Sequence, residues 1–286
     1  MSKTKLTIQN LEQTGLNTII ATFNEAFTDY YVKINLTQDQ LIQKMTLENI
    51  RLKHSAGAFD GDQLVGLILS GIDTKGGLKT AYNGGTGVLP AYRGKGITPQ
   101  LYSFLIDHYR QEGVQRGLLE VIEANDSAIR SYEKVGFRKL RELDCFKGKI
   151  EYDKPEPKLA VLARQIMHPD WEQMNQFWNW EPTWPNTTAS IRRAGAGLKL
   201  LGLYHDDRLV AYGVINTGSG RIVQFGVHPD FRGKGLGRLL FYYLGKLGNP
   251  NLSIINIDRG DADTIGFLKH IGFSIYISQY EMGLDL

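Results

Sequence analysis

Residues 87–96 read GVLPAYRGKG and residues 226–235 read GVHPDFRGKG, with seven of ten positions identical. A second echo follows each copy in the same order, KVGF at 134–137 and HIGF at 270–273. Upstream, AFDGDQLVGLIL (58–69) has its counterpart in LYHDDRLVAYGVI (203–215). The offsets, 139 and 136 residues, are far longer than the period of a solenoid. Three signals recurring in one order read as two copies of one fold rather than as chance likeness between Gly-rich turns, and the 286 residues suit about two domains. The seam falls at EYDKPEPK (151–158), where two prolines disfavour helix and resist a central strand. The expected domains are therefore 1–150 and 156–286.

Within the first copy, Thr4–Gln9 is expected as a strand, and 15–27 and 37–48 as helices, the second capped by Thr37. Gly61–Asp62 is a turn signal between strands at 58–60 and 63–72. A Gly-rich strand at 80–88 precedes a helix at 97–111, whose apolar residues 101, 104, 105 and 109 keep the 3.6-residue period. A strand (117–123), a helix (126–135) and a strand (137–144) complete the copy, and the second copy follows the same order. The fold class is α/β in the broad, α+β sense: a mixed, mainly antiparallel sheet flanked by helices, built twice.

Composition narrows the function. The two halves of the chain carry 19 basic against 16 acidic residues and 14 against 14. Neither has the basic excess that nucleic-acid binding leaves, so no nucleic-acid partner is expected. The polar start MSKTKLTIQN is no signal peptide, and no apolar run approaches a membrane span, so neither secretion nor a membrane partner is expected. One cysteine, Cys145, excludes an internal disulfide and a Cys-cluster zinc site. A cytoplasmic location fits. The six histidines (54, 108, 168, 205, 228 and 270) show no metal-ligand spacing, and no metal is expected.

The repeated loop carries the chemistry. Arg93-Gly94-Lys95-Gly96-Ile97-Thr98 and Arg232-Gly233-Lys234-Gly235-Leu236-Gly237 each sit between a strand and a helix. Glycines permit positive φ and close backbone approach. A helix N-terminus offers free N–H groups and partial positive charge. Arg and Lys add countercharge, so each loop suits a pyrophosphate. The spacing is neither Walker A nor GxGxxG. A nucleotide- or nucleic-acid-binding loop is the competing reading, and the charge balance argues against it.

The order strand–GVxPxxRGKGxx–helix resembles the coenzyme A loop of the GCN5-related N-acetyltransferase (GNAT) superfamily. LEVIEANDSAIRSYEKVGF (119–137) is similar to that family's second signature, especially in its ribosomal-protein N-terminal acetyltransferase branch. The likeness covers the last two thirds of each copy. The first ~55 residues match no pattern, and in the family they help shape the acceptor pocket. The resemblance implies two tandem GNAT-like domains transferring an acetyl group from acetyl-CoA to an amine in a ternary complex. It also implies roles for individual residues. Tyr132 matches the general acid; packed on its helix, it would be structural. Asn125 matches the coenzyme-contacting asparagine and is equally placed to cap that helix. Glu120, twelve residues before Tyr132, matches a proposed base; otherwise it is a solvated strand glutamate. The backbone at Val88 and Leu89, and at Val227 in the second copy, would meet the pantetheine arm. Thr98 departs from the loop pattern, and Pro99 cannot donate an N–H.

The second copy has the complete loop but not the chemistry. Aligned on GF, Glu120 becomes Asn256, Asn125 becomes Asp261 and Tyr132 becomes Leu268. The first copy is therefore expected to be catalytic and the second degenerate. A non-catalytic acyl-CoA sensor or scaffold is the alternative. Among lesser candidates, Asp29 in AFTDYY (26–31) could attract a cationic amine. The four tryptophans of WEQMNQFWNWEPTW (171–184) could build an acceptor site or local core, and Cys145 reads as a buried hydrophobe.

Overall fold

The computed structural model describes residues 6–32 and 34–286. Residues 4 and 5 of the expected first strand lie outside the described residues. The chain forms two compact units. One comprises the residues up to Leu140 together with Tyr280–Leu286, and the other Arg141–Gln279.

The first unit opens with β1 (Thr7–Asn10), α1 (Leu16–Ala26) and α2 (Gln38–Glu48). The start of α2 is set by a capping box: Thr37 Oγ1 accepts from Gln40 N, and the Gln40 side chain accepts from Thr37 N. β2 (Ala56–Asp60) and β3 (Gln63–Lys75) form a hairpin across Gly61–Asp62, with Gly61 at φ +60°. β4 (Leu78–Val88), α3 (Ile97–Gln111), β5 (Arg116–Ile122), α4 (Asp126–Val135) and β6 (Arg138–Lys149) follow, the last of these beginning in the first unit. Strands run β1-β2-β3-β4-β5, antiparallel except for the parallel β4–β5 pair. Leu101, Tyr102, Leu105 and Tyr109 of α3 pack on Val65 and Ile68 of β3 in the core.

The second unit contains β7 (Leu162–Gln165), α5 (Trp171–Asn175), α6 (Thr188–Ala194), β8 (Lys199–His205) and β9 (Arg208–Asn216). Then come β10 (Arg221–Val227), α7 (Leu236–Gly245), β11 (Asn251–Asp258), α8 (Ala262–His270) and β12 (Ser274–Asp285). Its strands run β6-β11-β10-β9-β8-β7.

The units follow contacts, whereas the repeat-based domains 1–150 and 156–286 follow chain order. The end of β12 explains the difference. Residues 280–285 lie beside β5, Leu286 N donates to Gln115 O (3.1 Å), and Met282 is fully buried in the first unit's core. The proline-bearing segment 151–158 is irregular, as its composition requires. Among the described residues no helix is long and apolar enough to cross a membrane.

Candidate active site

Each GKG loop sits between a strand end and a helix start. After β4 a turn at Pro90–Tyr92 leads through residues 93–96 into α3. After β10 a turn at Pro229–Phe231 leads through 232–235 into α7. Gly94 and Gly96 stand at φ +75° and +71°, and Gly233 and Gly235 at +70° and +84°, where a side chain would be strained. Gly96 and Gly235 directly precede Ile97 and Leu236, so the first-turn N–H groups of both helices open onto the loops. In the first loop Pro99 removes one of them.

The two arginines act alike, and not as free phosphate ligands. Arg93 donates from Nε to Val88 O (3.3 Å), from Nη2 to Ala26 O (3.0 Å), and through both Nη atoms to Asp29 (2.6 and 2.7 Å). Arg232 donates to Val227 O (3.1 Å), Phe177 O (2.9 Å) and Asn179 Oδ1 (2.9 Å). Each guanidinium thus ties its loop to the segment after the unit's first helix. Asp29, expected as an amine attractor, spends its charge on Arg93, whose hydrogen bond holds the carboxyl below its usual pKa. Lys95 and Lys234 lie over the rings of Tyr92 and Phe231, 4.7 and 4.8 Å from the centroids. At the expected pantetheine contact the Leu89 amide donates inward to Val65 O (2.9 Å), its carbonyl accepts from Tyr92 N (2.8 Å), and Val88 O accepts from Arg93, so the backbone at Leu89 is committed to the fold rather than left for a ligand.

Beside each loop the sheet opens. β4 and β5 pair only from Thr80/Arg116 to Asn83/Leu119, although β4 runs on to Val88 and β5 to Ile122. The split begins at a bulge, where Asn83 pairs with Ser70, Gly85 with Leu69, and Gly84 is extra. A Cβ on Gly84 would sit 2.5 Å from Glu48 Oε2 and 2.7 Å from Ile50 Cδ1, so a side chain there would displace the ends of both. In the second unit β10 and β11 pair only at Arg221/Ser253, and the bulge falls at Val223, the position equivalent to Gly84.

At the split in the first unit two of the expected residues, Tyr132 and Glu120, each have their own polar partners. The Asn83 amide donates to Thr86 Oγ1 (2.8 Å) and to Tyr102 Oη (2.7 Å), and Tyr132 Oη reaches Thr86 and Asn83. Burial pushes the Tyr132 phenol up to about 12. The ring also packs edge-on against Tyr102 and Phe137, each 6.0 Å away, so Tyr132 is both core and polar. Glu120 is partly buried on β5 and accepts a 2.5 Å bond from Tyr82 Oη. Desolvation, with the carboxylates of Glu281 and Glu48, pushes it up to about 8. Asn125 caps α4 through Ala128 N (3.1 Å), and its side chain also hydrogen-bonds Tyr30. Tyr82, Asn83, Thr86, Glu48 and Glu281 carry no motif. Only the fold brings them to Glu120 and Tyr132.

The second unit keeps the slot without these groups. A cavity of about 740 Å³ runs from the loop along the split, lined among others by Trp178, Trp180, Val223, Phe225, Ile257 and Phe267. Leu268 is fully buried in the core. Asn256, at φ +63°, is held by Thr183 Oγ1 (3.1 Å) and by the Cys145 sulfur. Asp261 caps α8 through Thr264 N, as Asn125 caps α4. Of the tryptophans, Trp171 and Trp184 are buried, while Trp178 and Trp180 face the cavity.

Comparison with known proteins matches the Acetyltransferase (GNAT) family twice, over residues 19–137 and 163–273. The chain is 38% identical over 81 residues to mycothiol acetyltransferase of Corynebacterium efficiens, covering 28% of this chain and 26% of that protein. It is 29% identical over 87 residues to N-alpha-acetyltransferase 30 of Schizosaccharomyces pombe, covering 30% and 58%. Both matches span less than two thirds of those relatives. The fold is similar to that of a tandem GNAT protein from the clavulanic acid biosynthesis pathway (TM-score 0.73, 14% identity), covering 98% of each chain.

Proposed function

The chain belongs to the GNAT acetyltransferase family, and from that premise we propose that it is an acyl-CoA-dependent N-acetyltransferase whose chemistry resides in the first unit. The observation that carries this is the pairing at the β4–β5 split: a carboxylate pushed up to about 8 and a phenol pushed up to about 12 on the same opening. The first can take a proton near neutral pH and the second can keep one to give. Acetyl-CoA supplies an activated thioester. The loop amides from Gly94 to Thr98 would hold its pyrophosphate, with Arg93 bracing the loop and Asn125 supporting the start of α4. Glu120 accepts a proton from the acceptor ammonium. The neutral nitrogen then bonds to the acetyl carbon as the carbon–sulfur bond breaks, Tyr132 gives its proton to the departing thiolate, and the proton shed by the acylated nitrogen restores the Tyr132 phenol. The test is thiol release from acetyl-CoA across a panel of amines: polyamines, amino sugars, amino acids and peptide N-termini. Turnover with none of them, despite acetyl-CoA binding, would favour the sensor reading.

For the second unit the proposal is acyl-CoA binding without turnover. Its cavity and complete loop, Arg232–Gly237 with Val227, support binding, while buried Leu268 and tethered Asn256 offer no acid or base. One prediction separates charge from architecture at this loop. Arg232→Glu should weaken acetyl-CoA binding at the second site. Arg232→Lys should not restore it, because one ammonium cannot serve the three acceptors that the guanidinium fork reaches. The expected loss is about tenfold for either variant, measured by titration calorimetry. Full rescue by lysine would mean that only the charge matters.

A further inference from the structure

The carboxyl end of α3 carries groups that acetyl transfer does not use. His108 and Glu112 stand four residues apart across the last turn, a spacing that puts two side chains on one helical face. His54, from the short turn Leu52–His54, meets them, its Nδ1 lying 2.8 Å from His108 Nε2. One ligand atom from each of His54, His108 and Glu112 lies within 4.8 Å of the others. We infer that these three side chains form a binding site for a transition-metal dication such as Zn²⁺, about 16 Å along α3 from the coenzyme loop.

Ligand chemistry selects the class of ion. Mg²⁺ and Ca²⁺ prefer all-oxygen shells, whereas imidazole suits Zn²⁺, Ni²⁺ and Cu²⁺. In a tetrahedral zinc shell neighbouring ligand atoms lie about 3.3 Å apart. The two imidazole nitrogens need to part by about 0.5 Å, and the Glu112 carboxylate to close by at most about 1.5 Å. Side-chain torsions alone supply such shifts. His54 is buried, while His108 and Glu112 are partly exposed, so the ion has a solvent-side approach and room for water as a fourth ligand. The negative end of the helix dipole also favours a cation there. Lys79 competes: it donates to the Glu112 carbonyl, and its ammonium lies 3.9 Å from the carboxylate. His54 and His108 are 54 positions apart, so no linear spacing announces the pair.

The experiment is a Zn²⁺ titration of the full chain in competition with a chromophoric chelator, with Co²⁺ as a spectroscopic substitute. One equivalent should bind and raise the thermal midpoint in a concentration-dependent way. His54→Gln and His108→Gln should each weaken binding at least tenfold. Lys79→Met should tighten it several-fold, and exposed His168→Gln should leave it unchanged. Substoichiometric binding, or wild-type affinity in both His54→Gln and His108→Gln, would overturn the proposal. Should those variants fail to fold, the wild-type imidazole resonances decide. Zn²⁺ has to shift those of His54 and His108; shifts confined to the other histidines would overturn the assignment.

Discussion

Replacing Tyr132 with phenylalanine is expected to lower kcat by about 10²–10⁴-fold while the KM for acetyl-CoA stays nearly constant. The substitution keeps the ring that packs against Tyr102 and Phe137 and removes only the hydroxyl that reaches Thr86 and Asn83. Stability should fall by only about 1 kcal/mol, the net worth of one hydrogen bond, so lost turnover could not be blamed on unfolding. The choice of control matters. Leu268 occupies the equivalent position in the second unit but is fully buried. Truncating it to alanine would cost about 2–5 kcal/mol through the cavity left behind. Leu268→Met conserves volume and should leave kcat unchanged. Steady-state thiol-release kinetics on both variants checks the assignment. Full kcat in Tyr132→Phe, together with loss of turnover in a folded Gly235→Val variant, would move the chemistry to the second unit.

Much of this architecture is legible in the sequence because local signals coincide with local physics. Thr37 reads as a helix cap, Gly61–Asp62 as a hairpin turn, and the period of 97–111 ends where α3 ends. The glycine loops are legible because positive φ has few alternatives to glycine. What is hidden depends on distant partners. Arg93 reads as a phosphate ligand because its charge sits beside glycines; its acceptor at Ala26 is 67 residues away. The Tyr82–Glu120 bond spans 38 residues, and neither residue's type announces it. Both bulges, at Gly84 and Val223, occupy the same place in the repeat, yet valine there hides what glycine suggests. The last strand is hidden in another way. An alternating apolar pattern identifies a strand and its faces but not its neighbour, so nothing in 280–285 points to β5.

Glu120→Gln tests the other half of the chemistry, and its signature is a pH profile. Because the carboxyl is pushed up to about 8, its basic form accumulates only as pH rises through that value. Wild-type kcat/KM should therefore climb with pH and level off above about 8. The glutamine variant should lose about 10²–10³-fold at the plateau, and with it this inflection. A titration of the acceptor amine would persist in both proteins, which separates the two causes. Stability should move the opposite way. The folded-state pKa lies above the ordinary carboxyl value of 4.5, so folding favours the protonated acid. Stability is fully present below about pH 4.5 and is lost as pH rises through 8. The substituted amide carries no charge to desolvate beside Glu281 and Glu48, and its oxygen can still accept from Tyr82. The partial exposure of Glu120 discounts the gain to about 1 kcal/mol, roughly 2–4 °C in Tm at pH 9, shrinking towards zero at pH 5. A variant that is less active yet more stable at high pH is what a desolvated base predicts. A solvated surface glutamate predicts neither change, and an unaltered pH profile with an unaltered Tm would return Glu120 to that role.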